Sequence, residues 1–127
     1  MHVETSTTEI IVRNHLEAFI EQKGVDAIVS DYDDDARFLT EDRVYRGKQE
    51  IRGFFRDFLA SLPVGAIDHF ALRALRVHRT VAYITWCVGS DISLGTDTFV
   101  VEYGKIVAQT FAMTPVTTRQ SSGTAAP

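Results

Sequence analysis

Apolar side chains in the first part of the chain recur at helical spacing. One stripe has members at i, i+3, i+4 and i+7: Val12, His15, Leu16 and Phe19. This spacing predicts an amphipathic helix. Ser6 and Glu9 have the spacing of a capping box, so the helix is expected to begin there. Gly24 tolerates the left-handed conformation and is expected to end it.

Two further segments repeat this spacing. A short second helix is predicted from four residues: Val25, Ile28, Val29 and Tyr32. A third helix is predicted from about Lys48 to Leu62. Its apolar stripe has six members: Ile51, Phe54, Phe55, Phe58, Leu59 and Leu62. Pro63 is expected to end this helix, because the residue before a proline avoids the helical conformation.

The remaining segments are typical of strands. Short extended runs at 37–40 and 44–46 flank a polar turn and predict a small hairpin. Residues 67–114 contain no proline and are rich in β-branched and aromatic side chains. Three glycines divide this region into about four antiparallel strands: Gly89, Gly95 and Gly104. Helices followed by strands predict an α+β domain, with the helices on one face of a curved antiparallel sheet.

The last predicted hairpin has two possible registers. A three-residue loop at 102–104 would pair Val101 with Lys105 and Asp97 with Gln109. One face would then collect six side chains: Asp97, Phe99, Val107, Gln109, Phe111 and Met113. A two-residue turn at 104–105 would instead place Ala108 opposite Val101. We expect the first register, because its face gathers the bulky groups.

The predicted strand at 81–88 is apolar on both faces. One face has Ala82, Ile84, Trp86 and Val88, and the other has Val81, Tyr83 and Cys87. One face is expected to meet the helices. The other is available to a partner, which predicts a homodimer through the sheet.

The length and the net charge of the chain argue against several classes of protein. The 127 residues leave room for one domain, predicted at 6–114 with flexible segments at 1–5 and 115–127. Thirteen Lys and Arg against seventeen Asp and Glu give a net charge of −4, which argues against nucleic acid and membranes as partners. The N-terminus lacks the pattern of a secretion signal. With Cys87 as the only cysteine, we expect a soluble, cytoplasmic protein.

Three segments carry motifs of a known superfamily. They are YDDDARF at 32–38, RGKQEIRGFF at 46–55 and TDTFVVEYGKI at 96–106. They resemble the Y-x-D-D-A, x-G-x-x-x-I-x-x-F-[FY] and x-D-x-F-x-[VF]-x-x-G-[KR]-I patterns of the SnoaL-like and ketosteroid-isomerase-like families. Both belong to the nuclear-transport-factor-2-like superfamily. The resemblance implies a cone-shaped α+β barrel, with helices closing a curved sheet around a pocket.

The same resemblance supplies only part of a catalytic set. Asp97 falls where the ketosteroid isomerases have a protonated aspartic acid in the oxyanion site, and Tyr32 matches one of their tyrosines. Thr40 stands at the position of the general base and does not ionise at neutral pH. Phe19 and Phe55 replace the other two tyrosines. Conventional steroid isomerisation is therefore not expected.

Acidic residues beside Thr40 are alternatives for the general base. Glu41 or Asp42 would serve only if the hairpin loop were re-aimed, since a shift of one residue reverses a side chain. The base of the SnoaL-type polyketide cyclases falls on Phe111, so it is missing as well.

Asp97 is the leading candidate for catalysis. Burial among apolar groups would raise its pKa and let it donate a hydrogen bond to a ligand carbonyl, or orient a water when ionised. In the structural alternative it caps a loop or pairs with Arg73 or Arg76. His15 and His78 are candidate general bases, although a histidine on an apolar face is more often a core residue.

Further residues are candidates for contact with a ligand. Tyr32 and Gln109 are expected to orient it. The candidate substrate-binding set is Phe19, Thr40, Phe55, Trp86, Phe99, Gln109 and Phe111. In the alternative interpretation the rings are ordinary core. The acids at 31–35 are expected to form a solvated turn, and His69 and His78 lack partners at ligand spacing, so no metal or other cofactor is predicted.

Two functions follow. The first is a cofactor-independent isomerase, cyclase, dehydratase or hydrolase acting on a small hydrophobic substrate. The alternative is a non-catalytic ligand-binding or protein-interaction module of the same fold. A deep cavity containing Asp97 would favour the first, and a filled interior the second.

Overall fold

The computed structural model describes residues 6–117. Its α-helices are α1 (Thr7–Ile20), α2 (Val25–Val29) and α3 (Gly47–Ser61), with one 3₁₀ turn at Ala66–His69. Its strands are β1 (Tyr32–Leu39), β2 (Val44–Arg46), β3 (Phe70–His78), β4 (Val81–Val88), β5 (Ile92–Glu102) and β6 (Lys105–Met113). The flexible segments predicted at 1–5 and from 118 onward lie outside the described residues. Within the predicted tail, the Thr117 amide donates to the Asp91 carbonyl at 2.8 Å.

The six strands form one sheet in the order β2-β1-β6-β5-β4-β3. Neighbours are antiparallel except β1 and β6, which run parallel. Within residues 6–117 the two edge strands β2 and β3 do not pair with each other, so the curved sheet stays open. The helices cover one of its faces and bury the core there. The predicted α+β class, three helices on a curved and mainly antiparallel sheet, is confirmed.

The start of α1 follows the predicted capping box, because the Ser6 hydroxyl accepts a hydrogen bond from the Glu9 amide at 3.1 Å. The predicted stop is wrong. Gln22 adopts the left-handed conformation (φ 55°) after the last turn, and Gly24 instead precedes α2. Tyr32 is also not helical. The Asp31 carbonyl accepts from the Ile106 amide at 2.8 Å, and Tyr32 opens β1 beside β6.

The β5–β6 hairpin takes neither predicted register. Glu102 pairs with Lys105 across a two-residue turn in which Tyr103 and Gly104 are both left-handed, at φ 53° and 75°. An irregularity follows, and beyond it the pairs are Phe99 with Gln109 and Asp97 with Phe111. Because paired residues share a face, the predicted grouping of these four side chains survives the wrong register. Ile106 takes the buried position predicted for Val107.

The alternation predicted for β4 is confirmed. One face is buried (Ala82, Ile84, Trp86 and Val88), whereas Val81 and Tyr83 on the other are 39% and 42% exposed. The predicted homodimer through this outer face stays a prediction.

The prediction of a turn for the acidic segment after Tyr32 is wrong. Residues 33–35 instead belong to β1, at an irregularity between Tyr32 and Arg37 that leaves Asp34 and Asp35 exposed. Within the described range no group of three or more His, Cys, Asp and Glu side chains is placed to hold a metal ion. No helix of this range is long and apolar enough to cross a membrane.

Candidate active site

A small cavity lies between the helices and the inner face of the sheet. Its volume is about 30 Å³. Its lining comes from α1, α3 and strands β3 to β6: His15, Leu16, Phe19, Phe55, Phe58, Phe70, Ile84, Trp86, Asp97, Phe99 and Phe111. Room for about one or two water molecules remains in this conformation. The interior is therefore nearly filled.

Asp97 is the carboxyl group of this cavity. It lies on β5 and is 5% exposed. Trp86 on β4 donates its indole N–H to Asp97 Oδ1 at 2.6 Å, and Gln109 on β6 donates from Nε2 to Oδ2 at 2.7 Å. The Tyr32 hydroxyl donates in turn to Gln109 Oε1. Four side chains from four strands thus form one buried hydrogen-bonded chain.

Burial raises the pKa of Asp97 from 3.8 to about 7, although the hydrogen bonds from Trp86 and Gln109 favour the ionised form and oppose this shift. The predicted alternative, an ion pair with Arg73 or Arg76, is wrong. Both hydrogen-bond donors to Asp97 are neutral groups, and in the described range no ion pair includes it.

His15 lies on α1 at the same cavity and is 4% exposed. Its Nδ1 lies 3.2 Å from the Ile28 carbonyl oxygen. That oxygen only accepts hydrogen bonds, so Nδ1 carries the proton and Nε2 a lone pair. Burial lowers the pKa of His15 from 6.5 to about 4, so the ring is neutral at pH 7. The rings of Tyr32, Phe55 and Phe99 pack edge-on against it.

Tyr32 and Gln109 stand behind Asp97 and do not line the cavity. Burial is the main reason that the pKa of Tyr32 is well above 10, so its phenol stays a donor. Gln109 uses its amide on Asp97 and on Tyr32. Their position allows them to orient Asp97, and their contact with a ligand stays a prediction.

Five predicted ligand contacts line the cavity: Phe19, Phe55, Trp86, Phe99 and Phe111. His78 does not reach it. The β3–β4 turn, with Arg79 at φ 56°, pairs His78 with Val81 on the outer face, so His78 is exposed and the structure does not bring it together with Asp97. Thr40 lies outside the cavity as well, with its hydroxyl accepting from the Asp42 and Arg43 amides.

A larger groove adjoins the cavity. Its volume is about 350 Å³. It is lined by Thr40, Glu41, Asp42, Tyr45, Phe54, Asp57, Phe58, Phe111, Ala112 and Met113. Phe58 and Phe111 belong to both linings, and their ring centroids are 5.6 Å apart. These two rings separate the open groove from the cavity that holds Asp97.

Sequence reasoning missed the groove and one glycine. A Cβ at Gly95 would lie 2.1 Å from Cε2 of Trp86, so the indole occupies the space that any other side chain would take. This close approach fixes Trp86 where it can donate to Asp97. An isolated glycine inside a strand pattern is the signal that points to such a contact.

Solved structures with the same architecture identify the fold. A protein of unknown function from Burkholderia xenovorans, described as NTF-2 like, superposes with a TM-score of 0.70 at 17% identity, covering 91% of this chain and 88% of that one. A SnoaL-like protein of unknown function from Burkholderia thailandensis has a TM-score of 0.72 at 17% identity, covering 89% and 99%. The chain has the NTF2-like fold.

A third neighbour, from Agrobacterium tumefaciens, is described as a candidate isomerase of the SnoaL-like family. Its TM-score is 0.65 at 15% identity, with coverage of 87% of this chain and 99% of that one. No protein-family model and no curated protein matches the sequence. The fold implied by the three motifs is thus confirmed by these superpositions, and at 15–17% identity they establish no shared activity.

Proposed function

We propose that this protein binds a small apolar molecule and catalyses a cofactor-independent proton transfer on it, with Asp97 as the group that gives or takes the proton. The observation that carries the proposal is a buried carboxyl on a ring-lined cavity, with a pKa of about 7. Isomerisation, cyclisation, dehydration and hydrolysis all require a proton to move at carbon or oxygen. A group that titrates near neutral pH serves both directions of transfer.

The surroundings of Asp97 support this role. Below pH 7 the carboxyl is mainly protonated and can donate to a ligand oxygen, and above pH 7 it can act as a base. Trp86 and Gln109 fix both of its oxygens, and Tyr32 fixes Gln109. Preorganised groups of this kind lower the cost of reorganisation during proton transfer.

His15 supplies a second proton acceptor. Its Nε2 bears a lone pair, and its pKa of about 4 keeps the ring unprotonated at neutral pH. The cavity thus contains one group that can carry a proton and one that can accept it. Environments that push two pKa values apart are a basis for assigning acid and base.

A ligand must open the site before it reaches these groups. Small-molecule pockets measure about 300–1,000 Å³, far more than the cavity and similar to the adjoining groove. Rotation of the half-buried Phe111 ring would join the two spaces. We propose this rotation as the entry route.

The filled interior favours a second candidate function, a non-catalytic ligand-binding or protein-interaction module of the same fold. In that case the chain of Tyr32, Gln109, Asp97 and Trp86 specifies the core and moves no proton.

Proton transfer can be tested before the substrate is known. Small ketones, enones and epoxides, together with any molecule that mass spectrometry finds bound to the purified protein, are incubated with it in D₂O. Proton NMR then follows deuterium incorporation and product formation. We expect Asp97→Asn to abolish both while ligand binding is retained, and Asp35→Asn, an exposed control outside the cavity, to leave both unchanged. Equal rates above the buffer background for Asp97→Asn and the native protein would refute Asp97 as the group that moves the proton. Rates at the buffer background for both proteins would leave the non-catalytic function.

A further inference from the structure

The charged side chains on the groove all have one sign. Glu41 and Asp42 follow β1, and Asp57 lies on the exposed side of α3. No Lys or Arg belongs to the lining of the groove or of the cavity among residues 6–117. In the same range Glu41 and Asp42 take part in no ion pair, and Asp57 contacts only its neighbour Arg56, at 3.3 Å. The rim therefore presents negative charge to an entering molecule.

The groove below this rim is aromatic. Four rings form it: Tyr45, Phe54, Phe58 and Phe111. Phe54 lies 5.2 Å from Tyr45 and 5.1 Å from Phe111 between ring centroids. Aromatic faces attract cations through their quadrupole. One such contact is already present, since the Arg43 guanidinium carbon lies 4.2 Å from the centroid of Tyr45.

Beyond Phe111, the cavity presents hydrogen-bond acceptors to a ligand. His15 is more than nine-tenths buried on the cavity, and its Nε2 has no hydrogen-bond partner among the described residues. Asp97 is the other polar group on the cavity. A ligand that enters from the rim thus meets carboxylates, ring faces and a lone pair. The nearby cation Arg43, which lies on the Tyr45 ring, is already paired with Glu50 at 3.1 Å.

We infer that the ligand is a small hydrophobic amine, with its protonated amino group between the rim carboxylates and the ring faces of the groove and its apolar body directed past Phe111. This inference rests on the proposed function and names its substrate class. A carboxylate or phosphate ligand would face like charge at the rim, where the nearby cation Arg43 is already paired with Glu50. A neutral ligand would leave the complementarity of Glu41, Asp42 and Asp57 unused.

Three probes of similar size and shape differ in the charge of their polar end: 4-phenylbutylamine, 4-phenylbutanol and 4-phenylbutyrate. Isothermal titration calorimetry at pH 7 and low salt measures each affinity, and the emission of Trp86, the only tryptophan, reports whether the phenyl ring reaches the cavity. We expect the amine to bind about tenfold more tightly than the alcohol, and the carboxylate to bind most weakly. Added salt should reduce the preference for the amine.

The rim is tested with the triple variant Glu41→Gln, Asp42→Asn and Asp57→Asn. Affinity for the amine should fall about tenfold, to that of the alcohol, while the alcohol binds as before. A matched control removes three exposed acids outside the groove and the cavity, through Glu17→Gln, Asp35→Asn and Glu102→Gln. Both variants change the net charge by the same amount, and the control should keep the preference.

The outcomes distinguish this inference from the proposed function. Equal binding of amine and alcohol by the native protein would refute the amine class and leave the apolar pocket standing. If both triple variants lose the preference for the amine over the alcohol equally, that preference results from net charge, and the inference is refuted. Failure of all three probes to bind would refute the pocket itself, and the amine class with it.

Discussion

Asp97 and His15 line the same cavity, and burial moves their pKa values past each other, to about 7 for the carboxyl and about 4 for the imidazole. In the unfolded chain near pH 5 the imidazole is protonated and the carboxyl is ionised. In the folded protein both groups are neutral, because the cavity disfavours either charge. Folding therefore takes a proton from the histidine and places one on the aspartic acid.

This relationship predicts an unusual dependence of stability on pH. Between about pH 4 and 7 folded Asp97 holds a proton that the unfolded chain has lost, so its contribution to stability falls as pH rises. Between about pH 4 and 6.5 His15 does the reverse, because only the unfolded chain is protonated there. Each slope is about 1 kcal/mol per pH unit, so the two contributions cancel.

In Asp97→Asn the contribution of His15 to the pH dependence of stability should no longer be cancelled. Relative to the native protein, its free energy of unfolding should rise by about 1 kcal/mol per pH unit from pH 4 to 6.5. His15→Phe should show the opposite slope, since it leaves Asp97 alone. Urea unfolding at pH 4.5, 5.5 and 6.5 measures all three proteins. Parallel profiles would contradict the opposed shifts.

The ionisation of Asp97 should be visible in tryptophan fluorescence. Trp86 donates its indole N–H to Asp97 Oδ1 at 2.6 Å, and the chain contains no other tryptophan. A negative charge arriving at that distance changes the field on the indole. We expect Trp86 emission to titrate with a midpoint near pH 7 in the native protein and to stay flat in Asp97→Asn. A midpoint near 4 would show that Asp97 is ionised throughout the neutral range.

The helices and long strands could be predicted because their signals are local. The stripe from Ile51 to Leu62 and the alternation from Val81 to Val88 depend only on spacing within one element. The β5–β6 register could not be predicted in this way. It depends on Tyr103 adopting a left-handed conformation, which tyrosine rarely does and which no residue pattern announced.

In the candidate site, too, the features with local sequence signals could be predicted and those that depend on tertiary structure could not. Asp97 could be found because the x-D-x-F part of its motif, at 96–99, lies within one strand, and much of the aromatic lining could be found because it follows the helical and strand stripes. The groove was missed, since it forms where the β1–β2 turn, α3 and the end of β6 meet. His78 was misplaced because the turn at Arg79 reverses the face on which a continuous strand would have put it.

Gly95→Ala should disrupt the hydrogen bond from Trp86 to Asp97. The added methyl group would lie about 2 Å from the indole carbons, so the ring must move. Overpacking of this kind costs about 1–3 kcal/mol or more. We expect a lower free energy of unfolding and loss of the fluorescence titration near pH 7.

A matched glycine controls for the substitution itself. Gly53 lies in α3, and a Cβ there meets only the end of the Arg56 side chain, at 3.7 Å. Gly53→Ala should leave the titration intact and raise stability by about 1 kcal/mol, because alanine favours helix. If Gly95→Ala were as stable as Gly53→Ala, Trp86 would not be packed on Gly95.

Phe111→Ala should join the groove to the cavity. The ring lines both spaces, so its removal opens a path from the rim to Asp97. The variant should lose about 3 kcal/mol of stability and bind small apolar probes such as indole more tightly than the native protein, as measured by calorimetry. Tyr103→Ala, at a fully exposed ring, is the control and should change neither property. Unchanged binding of indole by Phe111→Ala would place the entry route elsewhere.

The outer face of the sheet should pair two copies of the chain. Val81 and Tyr83 are exposed there, and Arg76 and His78 of β3 lie opposite them on one side. The positions along β4 and on the β5 and β6 side carry small or β-branched side chains: Thr85, Thr96, Thr98, Val100, Ala108 and Thr110. A charge at the centre of such a face would be desolvated on pairing, which is costly. Sedimentation equilibrium should give twice the chain mass for the native protein and the single mass for Tyr83→Glu. Tyr103→Glu makes the same chemical change in the β5–β6 turn and should remain dimeric. If the native protein sediments at the mass of a single chain, the predicted dimer is wrong. The exposure of Tyr83 is then not explained by pairing.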